Sequence, residues 1–185
     1  MSNTPSNMLP LGTHAPSFSL LDTISNDKMN LNDLKGKYGT LIMFICNHCP
    51  FVIHVIEKVT QIAEVYQKKG LNTIAISSND VMNYPQDAPD LMAKFAERFD
   101  FSFPYLYDGS QEVAKEYQAA CTPDFFLFDE NMKLVYRGQL DNSRPGNGIQ
   151  VTGKDLQQAM NQLLEGKEIS TRQKPSMGCN IKWKS

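Results

Sequence analysis

The sequence predicts one α/β domain, a mainly parallel β-sheet with helices on both faces and an antiparallel edge. Three observations predict it. Apolar runs too short for helices alternate with segments of helical periodicity. Two further strands, separated by Asp129-Glu130-Asn131-Met132, read as a terminal hairpin. The length of 185 residues suits a single core with a tail.

The elements follow in order. Residues 1–16, rich in Ser, Asn, Pro and Thr, read as a loose lead-in. The domain runs from 17 to 169, and 170–185 form a polar tail expected to fold back on it. Ser17 to Asp22 is read as a short strand and Leu31 to Gly36 as a turn-like segment. Gly39 to Ile45 is a buried strand, because its apolar run is too short for a helix. The best helix follows, about Pro50 to Lys69. Val52, Val55, Ile56, Val59, Ile62, Ala63 and Tyr66 recur at helical spacing and Gly70 supplies the stop.

Leu71 to Ser77 reads as a strand and Asp87 to Phe99 as a helix with Pro89 in its first turn. Phe103 to Tyr107 is a strand, and Ser110 caps a short helix to Ala119. Asp124 to Phe128 and Lys133 to Arg137 are the hairpin strands. After the loop from Gly138 to Val151, Thr152 caps a last helix with Asp155 three residues on, and Gly166 ends it.

Composition excludes some functions. Eighteen Lys and Arg against 20 Asp and Glu leave a net charge of −2, which gives no electrostatic case for nucleic acid or an anionic membrane surface. Met1 to Pro10 carries no basic region followed by an apolar stretch, and no apolar run approaches the ~20 residues of a membrane span. The expected location is cytoplasmic. Four cysteines are too few for a disulfide scaffold, so their spacing must say what they do.

Cys46-Asn47-His48-Cys49-Pro50 lies between a buried strand and the longest helix. That position favours dithiol chemistry. Unpaired amides and the helix dipole favour a thiolate at the first cysteine, and the second follows at a spacing that allows a compact disulfide. A cationic His48 would lower the thiol pKa further and make the pair more oxidising. A closed zinc site needs four ligands, whereas Cys121 and Cys179 are isolated. Pro123 before a strand is open to two readings, an ordinary trans peptide or a cis peptide packed on the redox pair.

Four segments carry a resemblance. They are Cys46-Asn47-His48-Cys49-Pro50-Phe51-Val52, the run from Cys121 to Phe128, Gln139 to Pro145, and Lys174 to Trp183. Together they resemble the peroxiredoxin-like branch of the thioredoxin superfamily, the AhpC/TSA or redoxin group close to the TlpA/ResA-type thioredoxins, over about residues 10–185. The resemblance implies a thioredoxin-like fold, with a central mixed β-sheet flanked by helices on both faces. It makes Cys46 the nucleophile and Cys49 the resolving thiol. Pro123 becomes the cis-proline, and Thr122 a ledge that holds a partner's chain. Phe51 and Pro50 shape the helix start, with Asn47 and His48 as supporting residues. The strand Thr40 to Ile45 carries no acid where thioredoxins have one, and no Thr-x-x-Cys peroxidase motif is present.

The function expected is a thiol–disulfide oxidoreductase that needs no cofactor or metal. Its partner would be a disulfide- or dithiol-bearing protein or a small thiol. The alternatives are hydroperoxide reduction through Cys46, and metal binding by Cys46, Cys49 and His54. The tail is expected to bring Cys179 close to Cys121 as a second dithiol or relay, against the reading of two incidental thiols. Arg144 either stabilises a thiolate or anion or is a solvated loop residue. Trp183 is expected to anchor the tail by burying its ring.

Overall fold

The computed structural model describes residues 3–185. After β1 (Asn3–Pro5), a hairpin of β2 (Ser19–Asp22) and β3 (Lys28–Asn30) leads through a single turn, α1 (Leu31–Leu34), into β4 (Gly39–Phe44). Then come α2 (Pro50–Gln67), β5 (Leu71–Ser77), a 3-10 turn over Pro85–Asp87, α3 (Pro89–Arg98) and β6 (Tyr105–Tyr107). The rest is α4 (Glu112–Glu116), β7 (Cys121–Thr122), β8 (Asp124–Asp129), β9 (Leu134–Gly138), α5 (Lys154–Leu164) and β10 (Met177–Asn180).

Seven strands form the main sheet in the order β3-β2-β6-β5-β4-β8-β9. The sheet is mixed rather than mainly parallel. Only β4–β5 and β5–β6 are parallel among the described residues, because α2 and α3 cross over between them. The pairs β2–β3, β2–β6, β4–β8 and β8–β9 are antiparallel. The hairpin of β2 and β3 adds an antiparallel edge at the opposite end from β9.

Alternation along β4 divides the core. Leu41, Met43 and Ile45 face α2, α3 and α5, while Ile42 and Phe44 face α1, α4 and the N-terminal segment. The stripe on α2 from Val52 to Tyr66 is buried. Each such Val or Ile contributes about 1.5–3 kcal/mol of burial. Helix starts differ in detail from the sequence reading. Ser110 and Thr152 do accept amide bonds, from Glu112 and Lys154, but Gln111 and Gly153 are the residues that turn the chain at the N-caps, both with positive φ. Asp155 bonds Gln139 instead of closing a capping box.

The two ends of the described chain meet. β10 lies between β1 and β7 in a second, three-stranded sheet, with Cys179 opposite both Asn3 and Thr122. The segment read as a loose lead-in is therefore paired, and Leu9 is buried in the core. The tail is not held by its tryptophan, since Trp183 is 42% exposed. Cys179 and Ile181 are buried instead. Ser176 donates its hydroxyl to the Pro123 carbonyl at 2.6 Å, and the Lys182 amide donates to Asn79 at 2.9 Å.

Gly178 permits this docking. A Cβ there would overlap the backbone carbonyl of Thr122. The Gly178→Ala protein is expected to lose about 1–3 kcal/mol through forced overpacking. Denaturant midpoints together with limited proteolysis check this, the tail becoming the first segment cleaved.

Candidate active site

The site forms where β4 ends and α2 begins. Pro50 has no amide to leave unpaired and its fixed φ suits the first helical position, so the helix starts there and Cys49 becomes the N-cap. This corrects the placement of Cys46 at the helix end: the N-cap residue is Cys49, whose carbonyl accepts the Val52 and Ile53 amides, each at 3.0 Å.

Cys46 and Cys49 are both buried, with 1% and 0% of their surface exposed. Each thiol shifts the acidity of the other. The Cys46 sulfur lies 3.5 Å from the Thr122 hydroxyl, and the Cys49 sulfur 3.2 Å from the Thr122 carbonyl. The Thr122-Pro123 peptide is cis. On the other side of Cys49, the Cys179 sulfur sits 2.7 Å away. Cys179 therefore pairs in space with Cys49, not with Cys121. All four cysteines are free thiols.

Interaction with Cys46 lowers the Cys49 thiol to about 5, against the opposing effect of burial. Cys179, Thr122 and the Val52 amide assist. Cys46 is pushed well above the usual thiol range by its interaction with Cys49, then by burial and the charge of Asp87. One negative charge is thus shared by the pair and centred on Cys49. Cys121 is held above the usual range by burial first, and its sulfur lies 3.6 Å from the Pro123 carbonyl.

Asp87 is the residue that sequence reading missed. It is fully buried in the 3-10 turn before α3. Its carboxylate accepts the Asn47 amide at 2.8 Å and the Asn79 side-chain amide at 2.9 Å, and lies 2.6 Å from His48 Nδ1. His48 stacks on Tyr84, with ring centroids 5.8 Å apart. Asn47 also bonds the Gln86 carbonyl and the Tyr105 hydroxyl, so its side chain ties the loop to both neighbouring elements. β4 carries no acid, and the buried carboxylate beside the cysteine loop comes from a different segment. An Asp two residues before a Pro reads as a helix-start residue, and no pattern in sequence marked it as buried.

Arg144 serves its own loop. Its guanidinium donates to the carbonyls of Asp141 and Ser143, each at 2.7 Å, and to Gln139 Oε1 at 2.6 Å. Its charge reaches the site only through Cys121, which it pulls down.

The AhpC/TSA family matches residues 11–137, well over half of the chain and including the cysteine loop, β7 and most of the main sheet. The chain belongs to the AhpC/TSA family. This AhpC/TSA protein is also similar to the thiol-disulfide oxidoreductase ResA of Geobacillus thermodenitrificans, at 29% identity over 71% of this chain and 70% of that one. A crystal structure of an uncharacterized conserved protein from Geobacillus kaustophilus superposes with a TM-score of 0.98 at 54% identity, covering 100% of this chain and 97% of that one. The thioredoxin domain of a thiol-disulfide oxidoreductase from Bacteroides vulgatus shares the fold, with a TM-score of 0.59 at 21% identity over 70% of this chain and 88% of that one. The fold is thioredoxin-like, and the AhpC/TSA protein is an oxidoreductase.

In the AhpC/TSA protein the set able to hold a cation differs from the one read in sequence. His54 Nε2 is engaged by the Ser143 hydroxyl at 2.7 Å. Among the described residues, Cys46, His48 and Asp87 offer ligand atoms within 4.8 Å of one another. The charge of Asp87 also raises the Cys46 thiol, after its interaction with Cys49 and burial. The Asp87→Asn variant removes a negative charge beside Cys46, so its thiolate is expected to form at lower pH than in the parent. Thiolate ultraviolet absorbance followed through a pH titration checks this, and an unchanged or raised midpoint would show that the carboxylate charge is not felt there.

Proposed function

We propose that this protein is a thiol–disulfide oxidoreductase that cycles Cys46 and Cys49 between dithiol and disulfide. The observation that carries this reading is two buried thiols at a helix start, both within reach of Thr122 beside the cis peptide to Pro123. The similarity to ResA, itself a thiol-disulfide oxidoreductase, supports it.

Cys49 is hemmed in by Cys46, Cys179 and the Thr122 carbonyl, which leaves Cys46 to meet the partner. As Cys46 attacks a partner disulfide, its proton passes to Cys49 and the partner's second sulfur leaves as a thiolate. Cys49 then gives up its proton and displaces the partner from the mixed disulfide, closing Cys46–Cys49. Two electrons pass to the partner, and its two thiolates take up the one proton released by the pair and a second from solvent. That partner is a disulfide- or dithiol-bearing protein or a small thiol.

The test is the reduction potential of the pair, by equilibration with glutathione and mass-resolved thiol labelling. A reversible two-electron couple in which Cys46 and Cys49 lose their thiols together is the expected result, and Cys46→Ser removes that linkage. Failure of these two residues to form a couple would refute the reading, and hydroperoxide consumption with a thiol donor would then point to peroxidase chemistry.

A further inference from the structure

The tail strand delivers a third sulfur to the pair. Cys179 is buried, and its strand is fixed on both sides, by β1 through Asn3 and by β7 through Thr122. Close packing of Gly178 on the Thr122 carbonyl and the bond from Ser176 to Pro123 hold it against the cysteine loop. Its sulfur is 2.7 Å from Cys49 and unbonded. The juxtaposition is therefore built from backbone pairing rather than from a flexible side chain.

We propose that Cys179 is a third redox cysteine, to which the Cys46–Cys49 disulfide passes by internal exchange. The inference rests on the dithiol reading above. Cys179 loses its proton and its thiolate attacks the Cys49 sulfur of the Cys46–Cys49 disulfide. The Cys46–Cys49 bond breaks, the Cys49–Cys179 bond forms, and Cys46 leaves as a thiolate that takes up a proton. No electrons are gained or lost, and no external reagent takes part. The products are a tail strand covalently tied to the site and a freed Cys46 thiol.

The surroundings time this step. In the reduced protein burial holds the Cys179 thiol up at about 12, followed by its bond to Cys49 and the Cys49 charge, with Lys182 and the Phe51 amide opposing. Once Cys49 is in a disulfide its charge and its role as acceptor are gone. Cys179 then becomes more acidic as Cys49 becomes the sulfur open to attack.

Full-length protein oxidised with glutathione disulfide, acid-quenched, alkylated and digested with trypsin tests this. In Cys46→Ser, the Cys49 and Cys179 peptides are expected to be cross-linked, with both thiols lost to alkylation. The wild-type digest is expected to contain the same cross-link beside the internal Cys46–Cys49 disulfide, so the result does not depend on the variant folding. Absence of a Cys49–Cys179 link from the wild type at every glutathione ratio, with Cys179 fully alkylated, overturns the proposal. Cys179→Ala separates the two readings. If it retains a Cys46–Cys49 disulfide, the dithiol stands whatever Cys179 does. If it forms none while Cys49–Cys179 forms in the wild type, the exchange has no donor and both readings fall.

Discussion

Replacing Cys49 with Ser is expected to turn the protein into a trap for its partner. Cys46 still attacks, but the thiol that should displace the bound partner is missing. Turnover of a disulfide substrate should fall by at least about 100-fold, since reacting groups held together gain effective molarities of about 10⁵–10⁸ M that no added thiol matches. The adduct should be visible as a mixed disulfide on Cys46 that dithiothreitol removes. Mass spectrometry of the variant after exposure to glutathione disulfide decides the matter. Wild-type turnover without an adduct would remove Cys49 from the cycle, and an adduct accumulating on Cys49 in Cys46→Ser would exchange the two roles.

The second large effect concerns stability. Asp124 is fully buried at the start of β8, with its backbone paired to Phe44 and therefore on the face of the sheet away from Cys46 and Cys49. Burial pushes its carboxyl up to about 7, only partly offset by bonds from Ser6 and from the amides of Ala120, Cys121 and Phe125. The folded chain keeps this proton up to about pH 7, whereas the unfolded chain releases it near about 3.9. Unfolding therefore releases a proton in that window, and stability falls as pH rises from about 4 to about 7. At 1.36 kcal/mol for each pK unit the loss is about 4 kcal/mol. Asp124→Asn keeps the shape without the charge. It should flatten this part of the pH profile and be more stable than the parent at pH 8, by up to about 4 kcal/mol. Urea midpoints of both proteins from pH 4 to pH 8 check it. Parallel profiles would show that Asp124 does not titrate on unfolding.

Much of this site could be read from the sequence, and the limits have physical causes. The stripe on α2 and the apolar runs of β4, β5 and β8 are local patterns, and local patterns survive in a sequence. The CxxC spacing before Pro50 marked the pair for the same reason. What escaped was set by tertiary contact. A strand as short as Lys28–Asn30 has no periodicity to detect, so the sheet was taken as more parallel than it is. The helix start at Pro50 was legible, yet it makes Cys49 rather than Cys46 the N-cap residue. Asp87 looked like one more polar residue near a helix start, and only its burial between Asn47, His48 and Asn79 gives it a role. Cys179 was placed near the redox region, but register against Thr122, which no spacing encodes, decided that its neighbour is Cys49.

The pairing of β10 between β1 and β7 also has a meaning in time. Synthesis proceeds from the N-terminus, and domains begin to organise in that order. β10 comes last of the described elements, and Cys179 is 130 positions after Cys49. A nascent chain thus carries its CxxC thiols long before the segment that packs against Cys49 has been made. β1, made first, waits for β10 just as long. Until β10 is made Cys49 lacks its neighbour Cys179, and arrival of that strand completes the group of three sulfurs.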